Sequence, residues 1–143
     1  MIDSTSNTSA IIRATASPGL FAQTVDKRWK FAPHLRTLDQ AITDTIAGVD
    51  GIRRLIISMP PRHGKSEMAS KYLPAWFLGT FPDKRVILSS YEADFASSWG
   101  TKAKEVIREH GWMFRVALSS DSNAKARWDI AGRLGGMQTA GIG

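Results

Sequence analysis

Apolar residues recur at helical spacing along one stretch of the chain: Leu35, Leu38, Ile42 and Ile46, with Pro33 ahead of them and Gly48 behind. Proline suits the first helical position and glycine the position just past the last, so a helix is expected over about 34–47. A short apolar run follows, Arg54-Leu55-Ile56-Ile57-Ser58, and stops at Pro60-Pro61. Its length and its bounding prolines predict a buried strand over 54–58. The next segment begins near Ser66 and runs to Leu78, with Gly79 as a stop. It reads as a second helix, kinked at Pro74, whose ring nitrogen has no hydrogen for the preceding turn. Val86-Ile87-Leu88-Ser89 is a second apolar strand. Two strands with one helix between them have the size of a βαβ unit, which predicts a parallel pair.

A third helix is expected over about 92–109, with Phe95, Trp99, Ala103, Val106 and Ile107 as its apolar stripe and Ser89 and Glu92 as a capping pair. Beyond it, Arg127-Trp128-Asp129-Ile130-Ala131 and Met137 to Ile142 flank a glycine-rich turn and predict two short strands. At the other end the pattern is polar. Six of the seven residues from Ser4 to Ala10 are Ser, Thr or Asn. Residues 1–30 are therefore expected to form a partly disordered arm ahead of a structured portion, 31–143.

Composition narrows the function classes. The chain has 143 residues and no cysteine, which excludes disulfides, thiolate metal sites and cysteine nucleophiles. Its three histidines, His34, His63 and His110, are far apart, which argues against a histidine-rich zinc site. Nineteen Lys and Arg against thirteen Asp and Glu give a net charge of +6, a balance that suits nucleic acid and equally suits a basic protein without a polyanion partner. No apolar run is long enough to cross a membrane, and the N-terminal residues lack a basic-then-apolar leader pattern, so no membrane partner is expected.

The most informative segment is RLIISMPPRHGKSEMASKYL. It carries Gly64-Lys65-Ser66 between an expected strand and an expected helix. The phosphate-loop pattern is G-x-x-x-x-G-K-[ST], and Met59 stands where its first glycine would be. Gly64 lets the backbone approach a phosphate. The amides from Gly64 to Glu67 would point out of the first helical turn and form an anion nest. Lys65 would set a point charge on the β- and γ-phosphates. The Ser66 hydroxyl would complete a Mg²⁺ shell beside them. A bare Gly-Lys-Ser is weak by itself, and a chance turn is the alternative. The strand–loop–helix context is what favours the phosphate loop.

At PPRHGKSE the chain resembles the large terminase subunit of tailed bacteriophages, the motor ATPase that packages DNA into capsids. The resemblance runs from about Phe31 to Gly143 and also rests on FAPHLRTLDQAI, SSYEADFASSWG and GGMQTAGIG. It implies an α/β fold with the parallel sheet of a P-loop NTPase and flanking helices, ending ahead of the Walker B strand. It implies that Pro61, Arg62, His63, Gly64, Lys65, Ser66 and Glu67 bind ATP and Mg²⁺, with Ser66 on the metal and Lys65 and Arg62 as the catalytic cations. It also places His34 near the adenine base, where a surface or capping histidine is the competing reading. Tyr91 to Asp94 would lie at the ligand-binding edge of the sheet. The implied partners are double-stranded DNA, the portal protein, the small terminase subunit and further copies in a ring, in the host cytoplasm.

After residue 110 the acids are Asp121 and Asp129, and neither ends an apolar strand. A Walker B acid and nuclease carboxylates are therefore not recognisable, and the chain is expected to correspond to the N-terminal part of an ATPase domain. Two other readings stay open: a helicase-like P-loop translocase, and a nucleotide- or nucleic-acid-binding module that does not hydrolyse. Lys102, Lys104 and Arg108 lie off the apolar stripe of the third helix, either as a phosphate contact or as a solvated face interleaved with Glu105 and Glu109. Of the five tryptophans, Trp76 and Trp99 fall on apolar helical faces and are expected in the core.

Overall fold

A computed structural model of the chain describes residues 4–121 and 124–143. The chain is mixed α/β and divides into two compact units, Met1–Met68 and Ala69–Gly143.

The first unit is helical. Helix α1 spans Ser4–Ala14, α2 spans Pro18–Val25 and α3 spans Pro33–Ala47. The first two occupy the segment where polarity predicts a partly disordered arm, whose first three residues lie outside the described part. What the polar count misses is the turn chemistry at Ser17-Pro18-Gly19. Ser17 caps α2 by accepting from the Leu20 amide at 3.1 Å, and Pro18 fills the first turn. The Ser17 hydroxyl donates to Asp39 Oδ2 at 2.6 Å, and the Gly19 amide donates to Asp39 Oδ1 at 2.8 Å. Asp39 is 8% exposed, so a buried carboxylate on α3 ties down the start of α2. Phe21 and Ala22 of α2 and Leu35, Leu38 and Ile42 of α3 form the core of this unit. Helix α3 matches its expected span and ends at Gly48.

The expected strand over 54–58 does not form. Residues 52–60 belong to no strand or bridge, and Ile56 is 94% exposed. A strand requires a hydrogen-bonded neighbour, and a five-residue apolar run carries no periodicity that specifies one. An exposed segment satisfies its backbone with water instead. The parallel pair expected between 54–58 and 86–89 is accordingly absent.

The second unit holds a three-stranded mixed sheet with flanking helices. Strand β1 spans Arg85–Ser90, β2 Arg127–Asp129 and β3 Gly136–Gly141, in the order β1-β3-β2. Strand β1 pairs in parallel with β3, Val86 opposite Met137 and Leu88 opposite Thr139. Strand β2 pairs antiparallel with β3, Trp128 opposite Met137. A parallel pair joined through a helix is thus present, but its members are β1 and β3 and the helix between them is α5, Ala93–His110. The two short strands after residue 126 are found as expected.

Ahead of β1, a π-helical segment, Glu67–Tyr72, runs into α4, Leu73–Thr80. The wide turn ends just before Pro74, which has no amide hydrogen to return to the carbonyl of Ser70. The expected stripe of helix α5 is buried at Ala103, Val106 and Ile107, but not at Phe95 and Trp99, where small residues take the inner face. Ala96, Gly100, Ala103, Val106 and Ile107 are buried, whereas Phe95 is exposed and Trp99 half-exposed beneath the Lys102 ammonium, 4.0 Å from its ring centre. Small residues win because the backbone comes close. A Cβ on Gly100 would lie 2.6 Å from Thr139 Cγ2, and the Gly100 carbonyl accepts from Trp128 Nε1–H at 3.1 Å. Trp128 is fully buried by this arrangement. Nor do Ser89 and Glu92 form a capping pair: Ser89 belongs to β1, and Glu92 takes the cap position without a side-chain hydrogen bond.

Two outcomes follow for stability. Asp39→Ala leaves the Ser17 hydroxyl and the Gly19 amide without their acceptor, and urea unfolding should register a loss of about 2–3 kcal/mol. Asp39→Asn, which keeps one acceptor oxygen, should lose less. At the surface, Asp83 accepts from Arg133 Nε–H at 3.0 Å, from its Nη2–H at 2.8 Å and from the Leu134 amide at 3.1 Å. The Arg133 hydrogen bonds, foremost, hold the Asp83 carboxyl down at about 2, from 3.8. Its folded-state value lies below its unfolded one, so the contact contributes above the unfolded value and is lost as pH falls toward 2. Carboxyl NMR titration should place Asp83 near 2 in the native chain and clearly higher in Arg133→Gln, though still below 3.8 because the Leu134 amide continues to donate to it.

Candidate functional site

Residues 61–64 make a tight turn that feeds directly into helical residues Lys65 and Ser66. The Met68 amide donates to the Gly64 carbonyl at 3.1 Å, the first bond of that helix. Gly64 is therefore the cap, and Lys65 and Ser66 stand in the first turn, where the helix itself supplies no acceptor for an amide. Amides pointing outward at the positive end of a helix favour an anion.

Two residues bend the backbone to make this turn. Gly64 has φ +84°, and Arg62 has φ +63°. A Cβ at Gly64 would also meet Leu35 Cδ1 at 3.2 Å, so both conformation and packing against α3 call for glycine. The left-handed conformation costs a residue with a side chain about 1–2 kcal/mol, and such strain concentrates at ligand-binding loops. Arg62 is exposed and carries its guanidinium on that strained backbone.

The loop is held by two histidines. His63 Nδ1 lies 2.8 Å from the Pro61 carbonyl oxygen, and His34 Nε2 lies 2.8 Å from the His63 carbonyl oxygen. A carbonyl only accepts, so His63 is protonated on Nδ1 and His34 on Nε2. The two rings meet edge to face with centroids 5.7 Å apart. His34 sits in the first turn of α3, which makes α3 the support of the loop twice over, through His34 and through Leu35.

An open groove of about 390 Å³ is lined by Met59, Pro60, Pro61, Arg62, Gly64, Lys65, Ser66 and Glu67. Of the residues singled out from the sequence, Pro61, Arg62, Gly64, Lys65, Ser66 and Glu67 are brought together here. His63 and His34 are not part of the lining; they bind the loop backbone. Met59 and Pro60 also line the groove. The sequence shows Met59 in the place of the usual first glycine and two stiff prolines after it, but the motif assigns neither Met59 nor Pro60 to the site. Lys65, Ser66 and Glu67 are half-buried.

The groove has the chemistry a phosphate chain needs: the start of a helix, a half-buried lysine, an exposed arginine and a glycine where a side chain would meet Leu35. For Mg²⁺ it offers the Ser66 hydroxyl, and among the described residues no group of three or more His, Asp or Glu is arranged to hold a metal ion. A hard cation here would draw its remaining oxygens from the ligand's phosphates and from water. Tyr91 and Glu92 join β1 to α5 in the second unit and Ala93 and Asp94 open that helix; Tyr91 is exposed and its carbonyl accepts from the Gly143 amide at 3.0 Å. Among the described residues no helix is long and apolar enough to cross a membrane. No protein-family model, no curated protein and no solved structure matches the chain.

Proposed function

We propose that the chain binds the phosphates of ATP, with Mg²⁺, through Pro61–Glu67, as the nucleotide-gripping part of a terminase-type DNA-packaging ATPase. The observation that carries this reading is the left-handed Gly64 that caps a helix while Lys65 and Ser66 line the groove at its start. The resemblance at PPRHGKSE supplies the wider context, in which the three-stranded sheet is part of a P-loop NTPase-type sheet.

Each residue has a task in that reading. The amides of Lys65 to Glu67 donate to phosphate oxygens. Lys65 neutralises charge on the β- and γ-phosphates. Ser66 offers one oxygen to the cation, which when bound would neutralise charge shared by those phosphates. Arg62, at the rim, addresses the γ-phosphate. His34 and His63 keep the loop in shape, so that little order is lost when the ligand arrives. The net charge of +6 suits duplex DNA as the polymer acted upon. The portal protein, the small terminase subunit, a ring of copies and the cytoplasm of a phage host belong to the same proposal.

Calorimetry with Mg-ATP tests the assignment. Lys65→Ala should bind about 10- to 100-fold more weakly than the native chain, the worth of one charged hydrogen-bonding partner. Equal affinity for the two proteins would overturn it. Hydrolysis is a separate matter. Phosphoryl transfer needs a group that orients the attacking water and a second ligand for the metal, and the groove's single carboxylate is Glu67. Phosphate release by the chain alone should therefore fall far below ~1 s⁻¹, the low end of ordinary turnover. Turnover near that rate, abolished by Lys65→Ala, would reveal a catalytic acid within these residues.

A further inference from the structure

The second unit contains a groove that the phosphate loop does not use. It has a volume of about 500 Å³ and lies along the C-terminal half of α5, over the 3₁₀ turn Gly111–Phe114 and the segment that follows. Lys104 and Arg108 line it, four residues apart and so about 6 Å apart along the helix. Trp112 continues the same row one turn further on. Ile107, Val116, Ala117 and Leu118 give the lining its apolar part, and Ser119 and Ser120 complete it.

Trp112 is the unusual member. It is 63% exposed, although a tryptophan gains more than most residues from burial. The turn that carries it is nonetheless firmly built. The Val116 amide donates to the Gly111 carbonyl at 3.0 Å, and the Arg115 amide donates to the Trp112 carbonyl at 3.1 Å. Phe114 packs so closely on α4 that a Cβ at Gly79 would overlap its ring. The indole is thus displayed from a rigid turn whose neighbouring aromatic is anchored.

The charge pattern is directional. Glu105 and Glu109 are on the same helix but are not part of the groove's lining. Glu105 forms an ion pair with Arg108, and Glu109 lies 3.6 Å from His110 Nε2. An exposed ion pair of this kind is worth ~0–1 kcal/mol, so a phosphate can take Arg108 over at little cost. The lining therefore holds two basic residues, a tryptophan and two serines beside four aliphatic residues, with no carboxylate among them.

Cations in a row that ends on an exposed aromatic ring are the recognition chemistry of unpaired nucleotides: the cations follow the phosphates, and the ring stacks on a base. A duplex supplies the phosphates but keeps its bases stacked within itself. We infer that the groove formed by Lys104, Arg108 and Trp112 binds a single-stranded nucleic acid, with one base on Trp112 and the adjoining phosphates on Arg108 and Lys104. The inference is independent of the ATP-binding proposal, because none of these residues lines the phosphate-loop groove.

Fluorescence anisotropy on the full chain tests it, using labelled oligo-dT and oligo-U of about twelve nucleotides, a length within single-strand site sizes, and a duplex of equal length. The single strands should bind more tightly than the duplex. Trp112→Ala should lose about tenfold in single-strand affinity, and Trp112→Phe should keep most of it. Lys104→Gln with Arg108→Gln should weaken binding and flatten its salt dependence by about 1–1.5 in the log–log slope. Lys65→Ala should leave strand binding unchanged, which separates this site from the phosphate loop. Binding of either oligonucleotide with this mutational pattern supports the inference, and the tighter of the two names the sugar. Duplex bound as tightly as single strands, no effect of Trp112→Ala, or no binding of either strand would overturn it.

Discussion

The buried carboxylate of Asp39 is the constraint on which the candidate phosphate site depends. A carboxylate 8% exposed is expensive to desolvate unless its oxygens are satisfied, and here they are satisfied by the Ser17 hydroxyl and the Gly19 amide. Those two contacts fix where α3 stands against the start of α2. Helix α3 in turn carries Leu35 and His34. Leu35 packs where a Cβ on Gly64 would be, and His34 holds the carbonyl of His63. The shape of residues 61–64 is therefore set by a polar contact about two dozen positions upstream in sequence, through one helix. A serine-proline-glycine turn that reads as mere punctuation is the far end of the loop's support.

The second unit solves the equivalent problem with close approach instead of a buried charge. Gly100 lets α5 settle onto Thr139, and its carbonyl receives the indole N–H of Trp128, so a large amphipathic ring is buried without an orphaned donor. Once that face of α5 is committed to the sheet, the helix's periodicity turns Lys104 and Arg108 away from the sheet-facing stripe and toward the open groove. The same rotation brings Phe95 to the surface. Burial by small residues and display of basic ones are two sides of one packing choice.

How much of this was legible follows from the kind of interaction involved. Helix α3, helix α5, strand β1 and the pair β2 and β3 are local features, and periodicity with glycine and proline punctuation finds them. The Gly64 turn is local too, and the residues that line its groove are nearly those the loop motif singles out. The face of α5 is not legible, because side-chain size argues for Phe95 and Trp99 while the decisive quantity is backbone approach at Gly100. Helices α1 and α2 are hidden for a similar reason: six polar residues of seven say nothing about a capping contact to Asp39. The run Leu55-Ile56-Ile57 fails in the opposite sense. Its composition suits a strand, but pairing is a property of two segments, and β3 is the partner that β1 has.

The absence of a strand ahead of the loop changes where preorganisation comes from. In a strand–loop–helix arrangement the sheet fixes one end of the loop and the helix fixes the other. Here residues 52–60 belong to no strand, so the loop is anchored at its helical end by the Met68–Gly64 bond and from the side by α3. The prolines at 60 and 61 restrict φ over the last residues before the turn, which replaces part of what pairing would supply. His34 then matters more than its exposure suggests. Its hydrogen bond to the His63 carbonyl pins the centre of the turn, and a loop pinned at its centre depends less on a paired strand before it. The chemistry assigned to Lys65 and Ser66 thus rests less on the apolar run before them than on a histidine thirty-one residues away from Lys65 in sequence.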